Sequence, residues 1–160
     1  MNQRTRELCA LLIALAACYG AAAIGAIFSV QGVSDWYANL VKPSWTPPPW
    51  LFAPVWTILY GMMAVAAWTV WRRPDGRSTK WAMAIFAVQL AFNAAWSPLF
   101  FGARSPAWAF ADIVLLWIAL AATIGLFFKR SMVAGWLLVP YILWVSFASA
   151  LNLAIWRLNS

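Results

Sequence analysis

The sequence predicts an all-α membrane protein: a five-transmembrane-helix bundle with a long aromatic, proline-rich first loop. Three observations carry that prediction. The chain is 65% hydrophobic and 9% charged, whereas a soluble domain keeps about a quarter of its residues charged. Its apolar residues gather into five nearly uncharged stretches, each longer than the roughly 20 residues a helix needs to cross a bilayer core. The alternating segments of about ten residues that mark outer-membrane barrels are absent. Helices are the spanning form expected, because backbone groups in lipid must be satisfied within each segment.

The expected spans are 8–30, 51–71, 81–101, 107–128 and 132–156, making residues 1–160 one transmembrane domain. At the start, Arg4 and Arg6 precede an apolar run, and Leu15-Ala16-Ala17-Cys18 resembles a lipoprotein cleavage box. The run outlasts the roughly 7–15-residue core of a signal peptide, so it is read as the first span. Cys9 and Cys18 share that span about 13 Å apart along the axis, too far for a disulfide within it. The chain has no histidine, which speaks against an ordinary metal site or histidine-ligated haem; no metal and no required cofactor are expected.

Most connections are short. Arg72-Arg73-Pro74-Asp75-Gly76 is a turn signal, and 102–106 and 129–131 are tight enough to make spans 3, 4 and 5 antiparallel neighbours. The first connection, 31–50, is long and unusual. It contains Trp36, Tyr37, Trp45 and Trp50 together with Pro43, Pro47, Pro48 and Pro49, and a single cation, Lys42. The prolines exclude an ordinary helix and are expected to hold 44–49 extended. The tryptophans can rest at headgroup depth or fold over the bundle mouth as a lid.

Eight lysines and arginines fall on the side of the N-terminus (Arg4, Arg6, Arg72, Arg73, Arg77, Lys80, Lys129, Arg130) and three on the other (Lys42, Arg104, Arg157). The N-terminus is therefore expected in the cytoplasm, with the first loop and the C-terminus opposite. These cations are scattered over several connections, which argues against a nucleic-acid partner.

Polar groups within membrane spans are costly, so their positions are informative. Gln89 and Asn93 lie one turn apart on span 3, with Ser97 continuing the row; Asp112 begins span 4 and Asn152 ends span 5. Asn93, Asp112 and Asn152 thus converge on the half of the bilayer beneath the long loop. Trp56 with Tyr60, Trp96 with Phe100, and the row Trp144, Ala148, Asn152 bring aromatic and small residues to the same half. Such a lining suits a flat apolar ligand. The competing reading takes the tryptophans as an interfacial belt and the amides as interhelical bonds. Trp56, Trp96 and Trp144 lie several residues inside their spans, where a belt explains them less well.

Several runs resemble the tryptophan-rich sensory protein (TspO/MBR) family, whose animal members are the translocator or peripheral-type benzodiazepine receptor proteins. They are Trp36-Tyr37, Lys42-Pro43-Ser44-Trp45-Thr46-Pro47-Pro48, Val55-Trp56-Thr57, Asn93-Ala94-Ala95-Trp96-Ser97-Pro98, Phe100-Phe101-Gly102, Pro140-Tyr141 and Leu151-Asn152, with Asp112, Trp117 and Trp144. The resemblance implies a five-helix bundle, usually a homodimer, with the first loop closing a cavity that takes porphyrins, haem or other flat hydrophobic molecules. It implies ligand contacts from Tyr37, Pro47, Trp56, Asn93, Trp96, Trp144 and Ala148, and a structural polar role for Asp112, to which Gln89 and Asn152 are added from their positions. Leu153 and Ala154 stand where animal members carry the tyrosine of a sterol motif, so sterol recognition there is not implied.

The leading expectation is a membrane receptor or carrier for tetrapyrroles, with the ring between Trp56 and Trp144, Asn93 at a polar edge, propionates by Lys42 or Arg104, and Trp36, Trp45 and Trp50 in the lid. One rival is a light-dependent porphyrin-degrading enzyme in which Trp56 and Trp144 are the catalytic residues; another is a proton-coupled exporter using Asp112. Small-residue rows suggest homodimerisation through Ala87, Ala91 and Ala95 on span 3 or Ala17, Ala21 and Gly25 on span 1.

Overall fold

In a computed structural model that describes residues 2–34, 36–73 and 76–160, five helices are long and apolar enough to cross a membrane. They are α1 (Gln3–Ser34), α2 (Phe52–Trp71), α3 (Gly76–Ser97), α4 (Pro106–Phe128) and α5 (Met132–Leu158). The five-helix architecture is as expected, with α1 extending a turn or more beyond its apolar run at each end. The turn expected at Pro74-Asp75 lies outside the described residues.

Local chemistry sets the helix starts. The Asn2 carboxamide oxygen accepts from the Thr5 N–H at 2.8 Å and caps α1. Ser105 and Ser131 accept from Trp108 and Ala134 at the starts of α4 and α5, and Pro106 stands in the first turn of α4, where its missing N–H costs nothing. At the end of α3 the backbone widens into a π-helical turn over Pro98–Gly102, with the Ala103 N–H donating to the Pro98 carbonyl at 2.8 Å. This widening is followed by Arg104 at φ 51°, the one positive-φ non-glycine found among the described residues. Together they turn the chain into α4 within a few residues.

The helices close into a ring in the order α1, α2, α5, α4, α3, returning to α1. The sequence-adjacent pairs α3/α4 and α4/α5 pack as antiparallel hairpins, as the short joints require. α1 is wedged between α2 and α3. Its approach to α3 uses small residues: a Cβ added at Gly25 would come 3.3 Å from the Ser97 hydroxyl, and Ala21 is buried. The small-residue row on α1 is thus partly spent inside the bundle, whereas Ala87 and Ala91 on α3 stay exposed.

The α4/α5 joint yields a sharp test of packing. A Cβ at Gly135 would lie 2.4 Å from Cγ of Phe128, whereas nothing comes within 4 Å of one at Gly125. Replacing a helical glycine by alanine gains about 0.5–1 kcal/mol of conformational entropy. Overpacking a tight site costs about 1–3 kcal/mol. Gly125→Ala is therefore expected to hold or raise the melting temperature in detergent, and Gly135→Ala to lower it by several degrees. A Gly135→Ala protein as stable as the parent would contradict the closeness of this joint.

Candidate functional site

The first loop roofs the end of the bundle where α1, α3 and α5 finish and α2 and α4 begin. Its form differs in part from a uniformly extended segment. Residues 43–46 make a turn, because the Thr46 N–H and hydroxyl both donate to the Pro43 carbonyl, at 3.0 and 2.7 Å. Pro48 is extended (φ −63°, ψ 143°), and Pro49–Leu51 form one turn of 3-10 helix leading into α2. The Lys42 ammonium donates to the carbonyls of Ala38 and Leu40 at 3.2 and 3.1 Å and lies 4.7 Å from the centre of the Tyr37 ring. A fixed cation thus sits at the rim. Burial raises the pKa of the Tyr37 hydroxyl, so it stays a protonated donor at neutral pH.

The roof rests on aromatic side chains. Trp36 and Tyr37 meet Phe100 edge-on, with ring centres 5.6 and 6.1 Å apart, and Tyr37 also meets Phe101 at 5.7 Å. The π-helical turn presents these two phenylalanines. Trp96, one turn back, stacks on Phe100 at 4.9 Å. On the opposite side Trp45 packs against Phe147, which touches Trp144, which meets Phe52 at 5.8 Å. Loop and helices thereby share a second apolar cluster, with Phe100, Ala109, Leu151 and Ile155 buried at its centre and Trp36, Tyr37, Leu40, Phe52 and Trp96 around it.

Below this cluster the helices are tied by a buried polar braid. The Tyr60 hydroxyl of α2 donates to Oδ1 of Asn93 on α3 at 2.5 Å, and Nδ2 of Asn93 donates to the Tyr141 hydroxyl of α5 at 2.8 Å. Trp56 lies over this braid, its ring 5.4 Å from Tyr60 and 6.1 Å from Tyr141. A second tie runs from the Trp96 indole N–H to Oδ1 of Asn152 at 3.0 Å, and from Nδ2 of Asn152 to the Pro106 carbonyl of α4 at 2.8 Å. Each amide bridges three helices.

The expected site residues divide accordingly. Trp56, Trp96, Trp144 and Ala148 are half-buried and pack against the core. Tyr37 and Pro47 are half-buried in the roof. Asn93 is buried, and its amide is already engaged with two hydroxyls; one N–H and one lone pair remain to meet a ligand. Trp50 is 71% exposed and, among the described residues, has no ring neighbour, which is the placement of an interfacial anchor rather than of a lid. Trp81, Trp108 and Trp136 are likewise 61–70% exposed, so the tryptophans separate into an outward set and an inward set.

Asn152 makes the interhelical bonds expected of a structural polar residue. Gln89 does not: it is fully buried, and neither polar atom of its amide finds a hydrogen-bond partner among the described residues. Asp112 is buried, and its Oδ2 finds no hydrogen-bond partner among the described residues, so that oxygen makes no bond of the kind a structural polar role would use. Phe52, Phe147 and Asn159 belong to the site and were not anticipated. Phe52 lies one helical turn before Trp56 and Phe147 three residues after Trp144, so helical spacing marks them; Asn159, treated below, carries no such mark.

The fold and its roofed end define a five-span membrane protein whose long first loop is seated on aromatic side chains from α2, α3 and α5. The family model described as TspO/MBR family matches residues 12–157. The chain is 42% identical to the tryptophan-rich protein TspO of Chlorobaculum tepidum, over 96% of this chain and 98% of that protein. It is 42% identical to the tryptophan-rich sensory protein of Cereibacter sphaeroides over 91% and 88% of the two chains. It is 43% identical to the translocator protein of Homo sapiens over 78% and 75%. The chain belongs to the TspO/MBR family.

Proposed function

We propose that this protein is a membrane receptor for tetrapyrroles, porphyrin or haem, held between the first loop and the aromatic residues beneath it. The observation that carries this reading is the inward set of indoles. Trp56, Trp96 and Trp144 are half-buried below a loop that brings Trp36, Tyr37 and Trp45 onto the same aromatic floor. A flat conjugated ring seated there stacks on the indoles, each good aromatic pair contributing about 0.5–1.5 kcal/mol beyond area burial. Two or three such pairs add to the larger contribution of the ring's buried apolar area, and together they support affinity on the micromolar scale, roughly 8 kcal/mol. Lys42 supplies a positive charge at the rim for a propionate, and the Tyr37 hydroxyl a donor. The names of the relatives, sensory protein and translocator protein, agree with a ligand-responsive membrane role. The distribution of lysine and arginine supports a cytoplasmic N-terminus, with the roofed end facing the opposite side.

The test is titration of the protein in nanodiscs with protoporphyrin IX, followed by porphyrin fluorescence. Saturable one-to-one binding in the micromolar range is expected. Signal that rises in proportion to lipid and never saturates would count against the site.

The reading extends to a homodimer through the α3 face, supported by the competing row on α1 being partly used within the bundle while Ala87 and Ala91 stand exposed. With Cys9 and Cys18 replaced, Ala91→Cys is expected to give a covalent dimer on mild oxidation, and Ala17→Cys is not; the reverse pattern moves the interface to α1.

A further inference from the structure

Resting on the receptor reading above, the tie between the roof and the last helix points to a control over ligand passage. The Asn159 side chain follows α5 and addresses the backbone of Val41 as a neighbouring strand would. The Val41 N–H donates to Oδ1 at 2.9 Å, and Nδ2 donates back to the Val41 carbonyl at 2.9 Å. The same Nδ2 donates to the Ile155 carbonyl of α5 at 2.8 Å. One amide thus joins the middle of the loop to the helix that carries Trp144 and Phe147. The loop is braced within itself by the Thr46 turn and by Lys42, so it is built to move as a unit. Beside the edge-on contact of Trp45 with Phe147, this clasp attaches the loop to α5 through polar groups, while Trp36 and Tyr37 rest on Phe100 and Phe101 after α3. Val41 is 56% exposed and Asn159 is exposed, so water can replace the bonds when the clasp opens. Hydrogen bonds of this kind carry modest net free energy, which makes the attachment reversible.

We propose that Asn159 is a positioning residue that holds the roof closed over the tetrapyrrole site and so sets the rates at which the ligand enters and leaves. Opening precedes passage in both directions. Weakening the clasp should therefore speed association and dissociation together and leave the equilibrium nearly unchanged. A residue that merely shaped the pocket would lower affinity without speeding entry.

The experiment uses the full chain in nanodiscs, with protoporphyrin IX followed by stopped-flow fluorescence and the Val41 amide by hydrogen exchange. Asn159→Ala is expected to raise both rate constants about tenfold, the scale of two modest hydrogen bonds, with Kd moving less than threefold. Val41 exchange should accelerate by a similar factor. Asn159→Asp keeps the acceptor for the Val41 N–H and loses the donors, so its rates should fall between. Faster Val41 exchange with unchanged ligand rates would overturn the gate and leave the receptor reading standing. Unchanged exchange would overturn the clasp itself. Absence of saturable binding to the parent protein would remove the receptor reading and the gate with it, while the exchange result would still report the clasp.

Discussion

Removing the two central indoles together, Trp56→Ala with Trp144→Ala, is expected to weaken protoporphyrin IX binding at least about 100-fold. Each ring lost removes about 0.5–1.5 kcal/mol of aromatic pairing on top of the apolar area it buries, and about 2.7 kcal/mol in total corresponds to that factor. The two rings reach the site from different helices: Trp56 lies over Tyr60 and Tyr141, and Trp144 lies between Phe52 and Phe147. The control is Trp108→Ala, at the same end of the bundle but 70% exposed, which should leave affinity within a factor of two. Equal affinities in the double variant and the parent would place the porphyrin elsewhere. A matching fall in the Trp108→Ala control would show a general response to loss of tryptophan.

The second large effect concerns the braid. Asn93→Leu, which keeps the number of side-chain heavy atoms but replaces the planar amide with a bulkier branched tip, leaves the hydroxyls of Tyr60 and Tyr141 without their partner in a region where Tyr141 is fully buried and Tyr60 is 6% exposed. A buried polar group deprived of its bond costs about 1–3 kcal/mol. Interhelical hydrogen bonds in membranes average nearer 0.6 kcal/mol, because the separated helices find other partners. Here two hydroxyls are orphaned at once, so a loss of about 2 kcal/mol is expected, read as a fall of several degrees in the melting temperature in detergent. The triple change Asn93→Leu, Tyr60→Phe, Tyr141→Phe removes the orphans along with the bonds and should recover part of that loss. A triple variant less stable than Asn93→Leu would show that the bonds matter more than their desolvation.

The spans were legible in the sequence because bilayer thickness imposes a length that charged and proline-rich joints then punctuate. The convergence of Asn93 and Asn152 toward the looped end was legible for a similar reason: with five alternating spans, position along the chain fixes depth. Depth does not fix direction around a helix axis. Nothing in the spacing of Asn93 distinguishes a side chain offered to a ligand from one engaged by Tyr60 and Tyr141, and tyrosine in a span reads first as an interfacial residue. The ring order, which seats α1 between α2 and α3 instead of at an end, depends on close approaches such as Gly25 to Ser97 that join distant segments. Asn159 was illegible for another reason. An asparagine beyond the last apolar residue has the composition of a solvated terminus, and only the folded loop brings the Val41 backbone to it. Phe52 and Phe147 were legible and overlooked, since each lies one turn from a tryptophan already singled out.

α1 buries only 11% of its apolar window, against 22–33% for the other four helices, yet the roof is its direct continuation. α1 thus closes the ring between α2 and α3 while leaving most of its own surface outside the bundle. Because the polypeptide is continuous, any tilt of α1 would reach the first loop from one end, while Asn159 holds the loop near its middle. A change in bilayer thickness that tilts this helix is therefore expected to alter hydrogen exchange at Val41, compared in nanodiscs of short-chain and long-chain lipid.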